Sequence, residues 1–342
     1  MIISRTPFRI SFFGGGTDYP AWYLKEGGAV LSTTIDKYCY ISARVLPPFF
    51  SERHRIVWSH IETVASISEI LHPAVREGLR FLGFDNATGV EIHHQGDLPA
   101  RSGIGSSSTF AVGLIRALCA LRGDAIGKHE LACKALELEQ NVLKENVGSQ
   151  DQVAAAYGGL NVIQFQPDGS FRVDPLKIPP ARAEEFERHL LLLYTGTSRM
   201  GGEIAASVIA RMRDKSAELR RMRQLVDDAN GILTGRGGVE KIGELLHETW
   251  QLKRGLADGV SSSEVDEIYR LARKNGALGG KLLGAGAKGF MLFFVPPEKQ
   301  AAVQRALNRF VWVPFRFESE GSTTIYGGSL LRPGGGSQGK PN

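Results

Sequence analysis

Cysteine is scarce. Cys39, Cys119 and Cys133 are the three in 342 residues, an odd number with no CxxC pair and no histidines at zinc-finger spacing, which argues against a disulfide framework and a structural zinc site and fits a reducing compartment. Long apolar runs are missing too: no stretch reaches the roughly 18 residues that a membrane span requires. The first residues carry Arg5, Pro7 and Arg9 where a secretory leader needs an apolar run, so a cytoplasmic chain without a membrane partner is expected. Neither sign of charge dominates, with 41 Lys+Arg against 36 Asp+Glu and a net charge of +5. What is present is ordinary for a globular protein, 42% hydrophobic and 23% charged residues, which excludes a disordered or collagen-like chain.

The order of elements predicts an α+β chain of two domains. Residues 2–13 read as a strand that ends in the breaker cluster Gly14-Gly15-Gly16-Thr17-Asp18. Residues 29–46 are rich in β-branched and aromatic side chains around Asp36-Lys37 and predict two strands or one long bent one. A short strand at 90–94 leads through a glycine-serine loop to a helix over 110–121, and a second helix is expected over 128–144. After a strand at 160–165, the three prolines of PLKIPP (175–180) resist both helix and ladder, which places the domain boundary there: 1–180 and 181–332. The second part is expected to hold a strand at 190–194, helices over 204–230, 239–257 and 263–274, and a strand at 290–295. The last ten residues, 333–342, have no core-forming side chain and read as a flexible tail.

Three constellations carry chemistry. The segment PARSGIGSSS, where a loop becomes a helix, suits a phosphate: Gly103 and Gly105 let backbone approach an anion, and the first helical N–H groups lack partners. It is not a Walker A loop, since no Lys-Ser or Lys-Thr follows its last glycine; a plain glycine-serine turn with a helix cap is the alternative. Glu139 and Asp151 are acids of the kind that phosphoryl transfer uses to hold Mg²⁺ and to orient an attacking hydroxyl, against the alternative of solvated helix acids. Glu137 lies about 200° around the helix from Glu139, so one of the two at most faces a site. The third is the glycine-rich GALGGKLLGAGAKG at 276–289, costly in chain entropy unless backbone passes close to something. The arginines of 211–223 are interspersed with acids and read as a solvated helix face, not a nucleic-acid surface. His93 and His94 point to opposite faces of a strand, cannot chelate one metal, and are taken as structural.

PFRISFFGGGTDY, PARSGIGSSS and GKLLGAGAKGF, in this order over residues 1 to about 330, resemble the GHMP kinases, the small-molecule kinases named for galactose, homoserine, mevalonate and phosphomevalonate. The resemblance implies an N-terminal α/β domain like that of ribosomal protein S5 and a ferredoxin-like C-terminal domain. It implies ATP bound at Pro99, Arg101, Ser102, Gly103, Ile104, Gly105, Ser106, Ser107 and Ser108, with Mg²⁺ held by Ser106 or Ser107 and by Glu139. Asp151 would be the catalytic carboxylate beside the acceptor hydroxyl, with Arg9 close to the transferring phosphoryl group. Gly15, Gly16, Thr17 and Asp18 would lie on the substrate side, Asp18 accepting sugar hydroxyls, together with Lys281 and Gly284 of the late loop. GGGTDYP, TTIDKY, ENVGSQDQ, YTGTSR and GALGGKLLGAG are most similar to the sugar 1-kinases acting on D-glycero-D-manno-heptose 7-phosphate. Galactokinases differ in having an acidic residue where this chain has Gly15 or Gly16. Ala287 and Lys288 also interrupt the late loop where the family often continues with glycines.

The expected activity is transfer of the γ-phosphoryl group of ATP to the anomeric hydroxyl of the heptose 7-phosphate, giving the 1,7-bisphosphate for GDP-heptose and surface polysaccharide. A kinase of an unphosphorylated sugar such as fucose is the second expectation, and a non-catalytic sugar sensor the third, against which Glu139 and Asp151 speak. A homo-oligomer is left open. A phosphorylated acceptor needs a cationic seat. Arg199, after Tyr194-Thr195-Gly196-Thr197-Ser198, is the first candidate because arginine suits bidentate phosphate contact and Gly196 permits an anion nest; Lys281, Lys253 and Arg254 are the alternatives.

Overall fold

The computed structural model describes residues 1–47, 49, 52–197 and 201–327. Arg199 and the expected tail at 333–342 lie outside the described residues. The chain opens with β1 (Ile2–Phe13), α1 (Pro20–Glu26), β2 (Gly28–Val45), β3 (His54–Val57), β4 (Ile61–Val64), α2 (Pro73–Phe81), β5 (Val90–Gly96) and α3 (Ser106–Arg122). It continues through α4 (Lys128–Leu136), α5 (Gln150–Tyr157), β6 (Asn161–Phe165), β7 (Phe171–Pro175), α6 (Pro180–Arg188) and β8 (Leu190–Tyr194). The remainder is α7 (Gly201–Arg211), α8 (Ser216–Thr234), α9 (Glu240–Arg254), α10 (Ser263–Lys274), β9 (Gly279–Leu282), β10 (Phe290–Phe294), α11 (Pro297–Ala306), β11 (Val311–Val313), β12 (Phe317–Glu318) and β13 (Thr323–Gly327).

β1 forms where its apolar run predicts, and Phe8, Ile10, Phe12 and Phe13 are all buried. It pairs antiparallel with β2, which is one strand and not two. The strand bends at Asp36-Lys37: Pro7 faces Tyr38 while Arg9 faces Thr34, so Ile35 to Lys37 bulge opposite Phe8. Proline has no N–H for the ladder, and a bulge re-aims the side chain beside it, here Arg9. Helix α3 lies across β1 and β2. Its Gly113 sits where an added Cβ would come within 2.9 Å of Thr6 Oγ1, while Ser4 Oγ donates to Gly113 O over 2.8 Å.

Two sheets result. The first runs β13-β1-β2-β5-β3-β4, with β6, β7 and β12 joined through β2. The second is antiparallel in the order β11-β8-β10-β9. With its chain order of strand, helices, two strands, helix, strand, it is the expected ferredoxin-like arrangement.

Three expectations need correction. The helix over 204–230 is two helices, α7 and α8, because buried Met212 sits at a corner that turns the chain and lets α8 pack on β1 and β2. The helix over 128–144 stops being α-helical at Leu136 and widens into a π-helical turn, Glu137–Val142. Residues 317–327, placed by sequence in the second domain, return to the first sheet, where β13 covers the outer edge of β1 and β12 pairs with β2 across its bulge. An uncovered β1 edge would leave a row of unpaired backbone groups.

Candidate active site

The glycine-serine loop leaves β5 and enters α3 through unusual backbone. Arg101, Gly103 and Gly105 have φ of 57°, 85° and 74°, and Gly105 caps α3 in the left-handed conformation with no side chain on the first N–H groups. Those amides and the helix dipole are free for an anion. The loop is held by its own side chains: Ser102 Oγ donates to Pro99 O over 2.6 Å, and the Arg101 amide donates to Ser106 Oγ over 3.0 Å. A Cβ on Gly103 would stand 2.5 Å from Leu283 O, and one on Gly284 would stand 2.4 Å from Gly103 Cα. The late glycine loop therefore packs backbone to backbone on the phosphate loop, and the Phe290 amide adds a hydrogen bond to Ser102 O at 2.9 Å. The interruption at Ala287 and Lys288 is absorbed, with Ala287 left-handed at 67° and Lys288 paired to Glu264 at 3.0 Å.

A cavity of about 730 Å³ opens between this loop, the Gly14–Asp18 loop and α9. Arg101, Gly103, Gly105, Ser106, Ser107 and Ser108 line it; Pro99, Ser102 and Ile104 do not. Ile104 is fully buried with its carbonyl accepting the Arg9 amide, and Ser102 is buried beneath the loop, so both side chains support the loop, while Pro99 is exposed beside it. Gly15, Gly16, Asp18, Lys281 and Gly284 line the cavity as well. Thr17 does not. Its hydroxyl is fully buried and donates to Gly14 O and Ala29 O at 2.8 and 3.0 Å, which corrects a substrate contact to a staple of the turn.

Arg9 and Asp151 meet at the centre. The guanidinium grips the carboxylate through Nε at 2.6 Å and Nη2 at 2.7 Å, and its Nη1 donates to Gly103 O at 2.8 Å. Asp151 lies in the first turn of α5, so close to the phosphate loop that a Cβ on Gly105 would stand 3.0 Å from its Oδ2. Asp18 is 2% exposed. It accepts from the Gly16 amide and from Gln150 Nε2, both at 2.9 Å, and burial, with the Asp151 charge nearby, holds its carboxyl above the ordinary range. Its oxygens are committed to the chain, and what it fixes first is the Gly14–Asp18 loop against α5.

A second acidic group gathers at Ser107. Its hydroxyl donates to Glu139 at 2.9 Å and lies 3.4 Å from Glu145. Glu139 is 1% exposed; burial first, and the Glu145 charge after it, push its carboxyl up to about 7. Glu145 is also raised by burial, and the sequence reading missed it. The π-helical turn brings the two acids together, since the Glu145 amide bonds Glu139 O at 2.9 Å. A buried carboxylate with no lysine or arginine partner among the described residues, a second carboxylate and a hydroxyl make an all-oxygen donor set that fits a hard divalent cation. Ser106 is already engaged by Arg101, which favours Ser107 of the two candidate serines.

Trp58, His72 and Phe110 line the cavity without having been marked in the sequence. Trp58, His72, Phe110 and His94 form an aromatic wall: Trp58 to His72 and His72 to Phe110 are each 4.8 Å between ring centres, and His94 to Phe110 is 5.0 Å. Burial holds His72 and His94 below the ordinary histidine value. His94, read as structural, faces the cavity. Lys253 does so too, at the end of α9. Four of the arginines of 211–223 pair with acids, Arg211 with Asp258, Arg220 with Glu26, Arg221 with Asp228 and Glu248, and Arg223 with Asp227, as a solvated face does.

Comparison with known proteins matches residues 68–159 to the GHMP kinases N terminal domain and residues 232–311 to the GHMP kinases C terminal domain. The chain is 31% identical over 331 residues to a D-glycero-alpha-D-manno-heptose 7-phosphate kinase of Campylobacter jejuni, covering 90% of this chain and 93% of that one. It is 28% identical over 341 residues to an L-fucokinase/L-fucose-1-P guanylyltransferase of Bacteroides fragilis, 89% of this chain but 35% of that longer protein. A crystal structure of a D-glycero-D-manno-heptose 1-phosphate kinase from Bacteroides thetaiotaomicron superposes with a TM-score of 0.78 at 25% identity, over 96% of this chain and 100% of that one.

Proposed function

The chain belongs to the GHMP kinases, and from that membership we propose that it transfers the γ-phosphoryl group of ATP to the anomeric hydroxyl of D-glycero-D-manno-heptose 7-phosphate. It is a phosphotransferase with an alcohol acceptor and a sugar kinase; the acceptor is the step proposed. The product, a 1,7-bisphosphate, would supply activated heptose for surface polysaccharide.

The observation that carries the chemistry is the Arg9–Asp151 pair seated against Gly103 and Gly105. We assign Asp151, a carboxylate beside Gly105 of the phosphate loop, the role of orienting the acceptor hydroxyl and taking its proton. Arg9 ties that carboxylate to the loop, so the base and the phosphate seat keep a fixed separation, and its positive charge stands beside the oxygens where negative charge develops. The open amides at the start of α3 cradle the donor phosphates, and the aromatic wall offers flat apolar faces for a base. Ser107 and Glu139, backed by Glu145, are the residues that would hold Mg²⁺, which when bound neutralises phosphate oxygens.

The heptose 7-phosphate acceptor is supported by the 31% identity over nearly the whole length of both chains and by the motifs YTGTSR and ENVGSQDQ. A coupled assay of ADP release over heptose 7-phosphate, the unphosphorylated heptose, fucose and galactose tests it. Heptose 7-phosphate should give a kcat/KM at least tenfold above the others; a preference for fucose would replace this acceptor, and no turnover with any sugar would favour a sensor.

A further inference from the structure

Two lysines at the floor of the cavity have no task in the transfer described above. Lys281 on β9 is 2% exposed, and its Nζ donates to Ser11 O at 2.9 Å and Phe12 O at 3.0 Å. Lys253, in the last turn of α9, donates to Leu282 O at 2.7 Å and Gly284 O at 2.5 Å. Their partners are neutral carbonyls, and neither forms a salt bridge among the described residues. An ammonium group has three donors, so each keeps one N–H beyond its two carbonyls.

The charges around them do not cancel. Lys253 feels Arg9, Asp18 and Asp151, and Lys281 feels Lys253, Arg9 and Asp18. Asp151 is already held bidentately by Arg9, and Asp18 already accepts from Gly16 and Gln150. Burial pushes Lys253 down to about 7 and Lys281 well below the usual lysine range: without a ligand the site disfavours the charged ammonium forms, and a bound anion would favour them. Gly284, whose carbonyl holds Lys253, packs on Gly103, while Ser11 and Phe12 lead from Arg9 into the Gly14–Asp18 loop. The pair therefore sits between the phosphate loop and the acceptor loop.

We propose that Lys253 and Lys281 form a second anion seat in this cavity, one that receives a phosphate monoester dianion. The phosphate carried by the acceptor is such a monoester; the other anion that the cavity would receive is the terminal anhydride-bound phosphate of the donor as it is transferred, and assignment to the acceptor rests on the heptose 7-phosphate reading. The test uses Lys253→Gln and Lys281→Met in the full-length enzyme. Glutamine can still donate to the carbonyls of Leu282 and Gly284 but brings no charge, so a merely structural lysine survives that change and an anion seat does not.

Steady-state rates are measured with heptose 7-phosphate and with the unphosphorylated heptose. If the seat holds the acceptor phosphate, the ratio of kcat/KM for the phosphorylated over the unphosphorylated sugar falls at least tenfold, through KM. If it holds the transferring group, kcat falls at least tenfold with both sugars and the ratio is kept. If Lys253→Gln keeps both the ratio and kcat, the proposal is overturned. Should the wild type prefer an unphosphorylated sugar, the heptose 7-phosphate reading fails by itself, and the kcat comparison with that sugar still decides whether the lysines form a seat.

Discussion

Replacing Glu139 by Gln should stabilise the ligand-free protein at pH 8 while it disables transfer. The folded carboxyl titrates at about 7 against an ordinary value of 4.5, and at about 1.4 kcal/mol per tenfold change in proton affinity this is worth about 3 kcal/mol. The sign follows from proton counts. Between pH 4.5 and 7 the folded protein keeps the Glu139 proton and the unfolded chain has lost it, so stability falls as pH rises through that window and is level above it. Glutamine has no such loss. Its amide can still accept from Ser107, and the partnerless Gln152 Oε1 can turn to accept from its new N–H group. Thermal unfolding of both proteins without ligand at pH 5 and pH 8 reads the difference. The variant should gain several degrees at pH 8 and little at pH 5. Its kcat should fall at least tenfold, and Mg²⁺ with nucleotide should raise the wild-type Tm more than that of the variant. Equal or lower stability of the variant at both pH values would refute a desolvated carboxylate at this position, and wild-type turnover would refute its part in holding the cation.

Asp151→Asn should lower kcat by roughly 10² to 10⁴, the range for a lost general base, with KM for ATP within about twofold; near-normal turnover in steady-state assays would make the carboxylate a partner of Arg9 and nothing more. Gly284→Ala places a Cβ 2.4 Å from Gly103 Cα at a φ of 69° and should weaken ATP binding at least tenfold by calorimetry. Gly127→Ala, where a Cβ meets nothing within 4 Å, should leave that affinity unchanged and serves as the control. Arg199→Ala should raise KM for heptose 7-phosphate strongly and KM for ATP little; equal weakening toward phosphorylated and unphosphorylated sugars would remove Arg199 from the phosphate seat.

What could be read from sequence is what local backbone chemistry decides. β1 is legible because its run of large apolar residues is buried on both faces, and α10 because its signal lies within a dozen residues; the structure adds a Ser262 cap, whose side chain accepts from the Val265 amide. The phosphate loop is legible because left-handed turns demand glycine. The errors arise where a distant surface decides. No property of 204–230 alone announces that Met212 turns a corner onto the rest of the protein, and nothing in 317–327 says that the edge of β1 is waiting for a strand. The π-helical turn after Leu136 is of the same kind, since its reward is a contact between Glu139, Glu145 and Ser107 made across more than thirty residues of chain.

The site divides along the same line, and the division has a mechanistic content. Glycines reveal where backbone must come close, so both glycine loops were visible, but the side chains that charge the cavity come from five separate places: Arg9 on β1, Asp18 in the loop after it, Asp151 on α5, Lys253 on α9 and Lys281 on β9. Each alone is an ordinary charged residue. Together they place three basic groups and two carboxylates around one cavity, and with Arg9 and Asp151 spent on each other, two lysines are left with the charge of Asp18 alone nearby and no salt bridge among the described residues. A balanced site would need no ligand to complete it. Because the imbalance is buried, where an unpaired cation is costly, occupancy by an anion should stabilise the fold as well as position the acceptor, and binding and folding at this floor are therefore coupled through the same two ammonium groups.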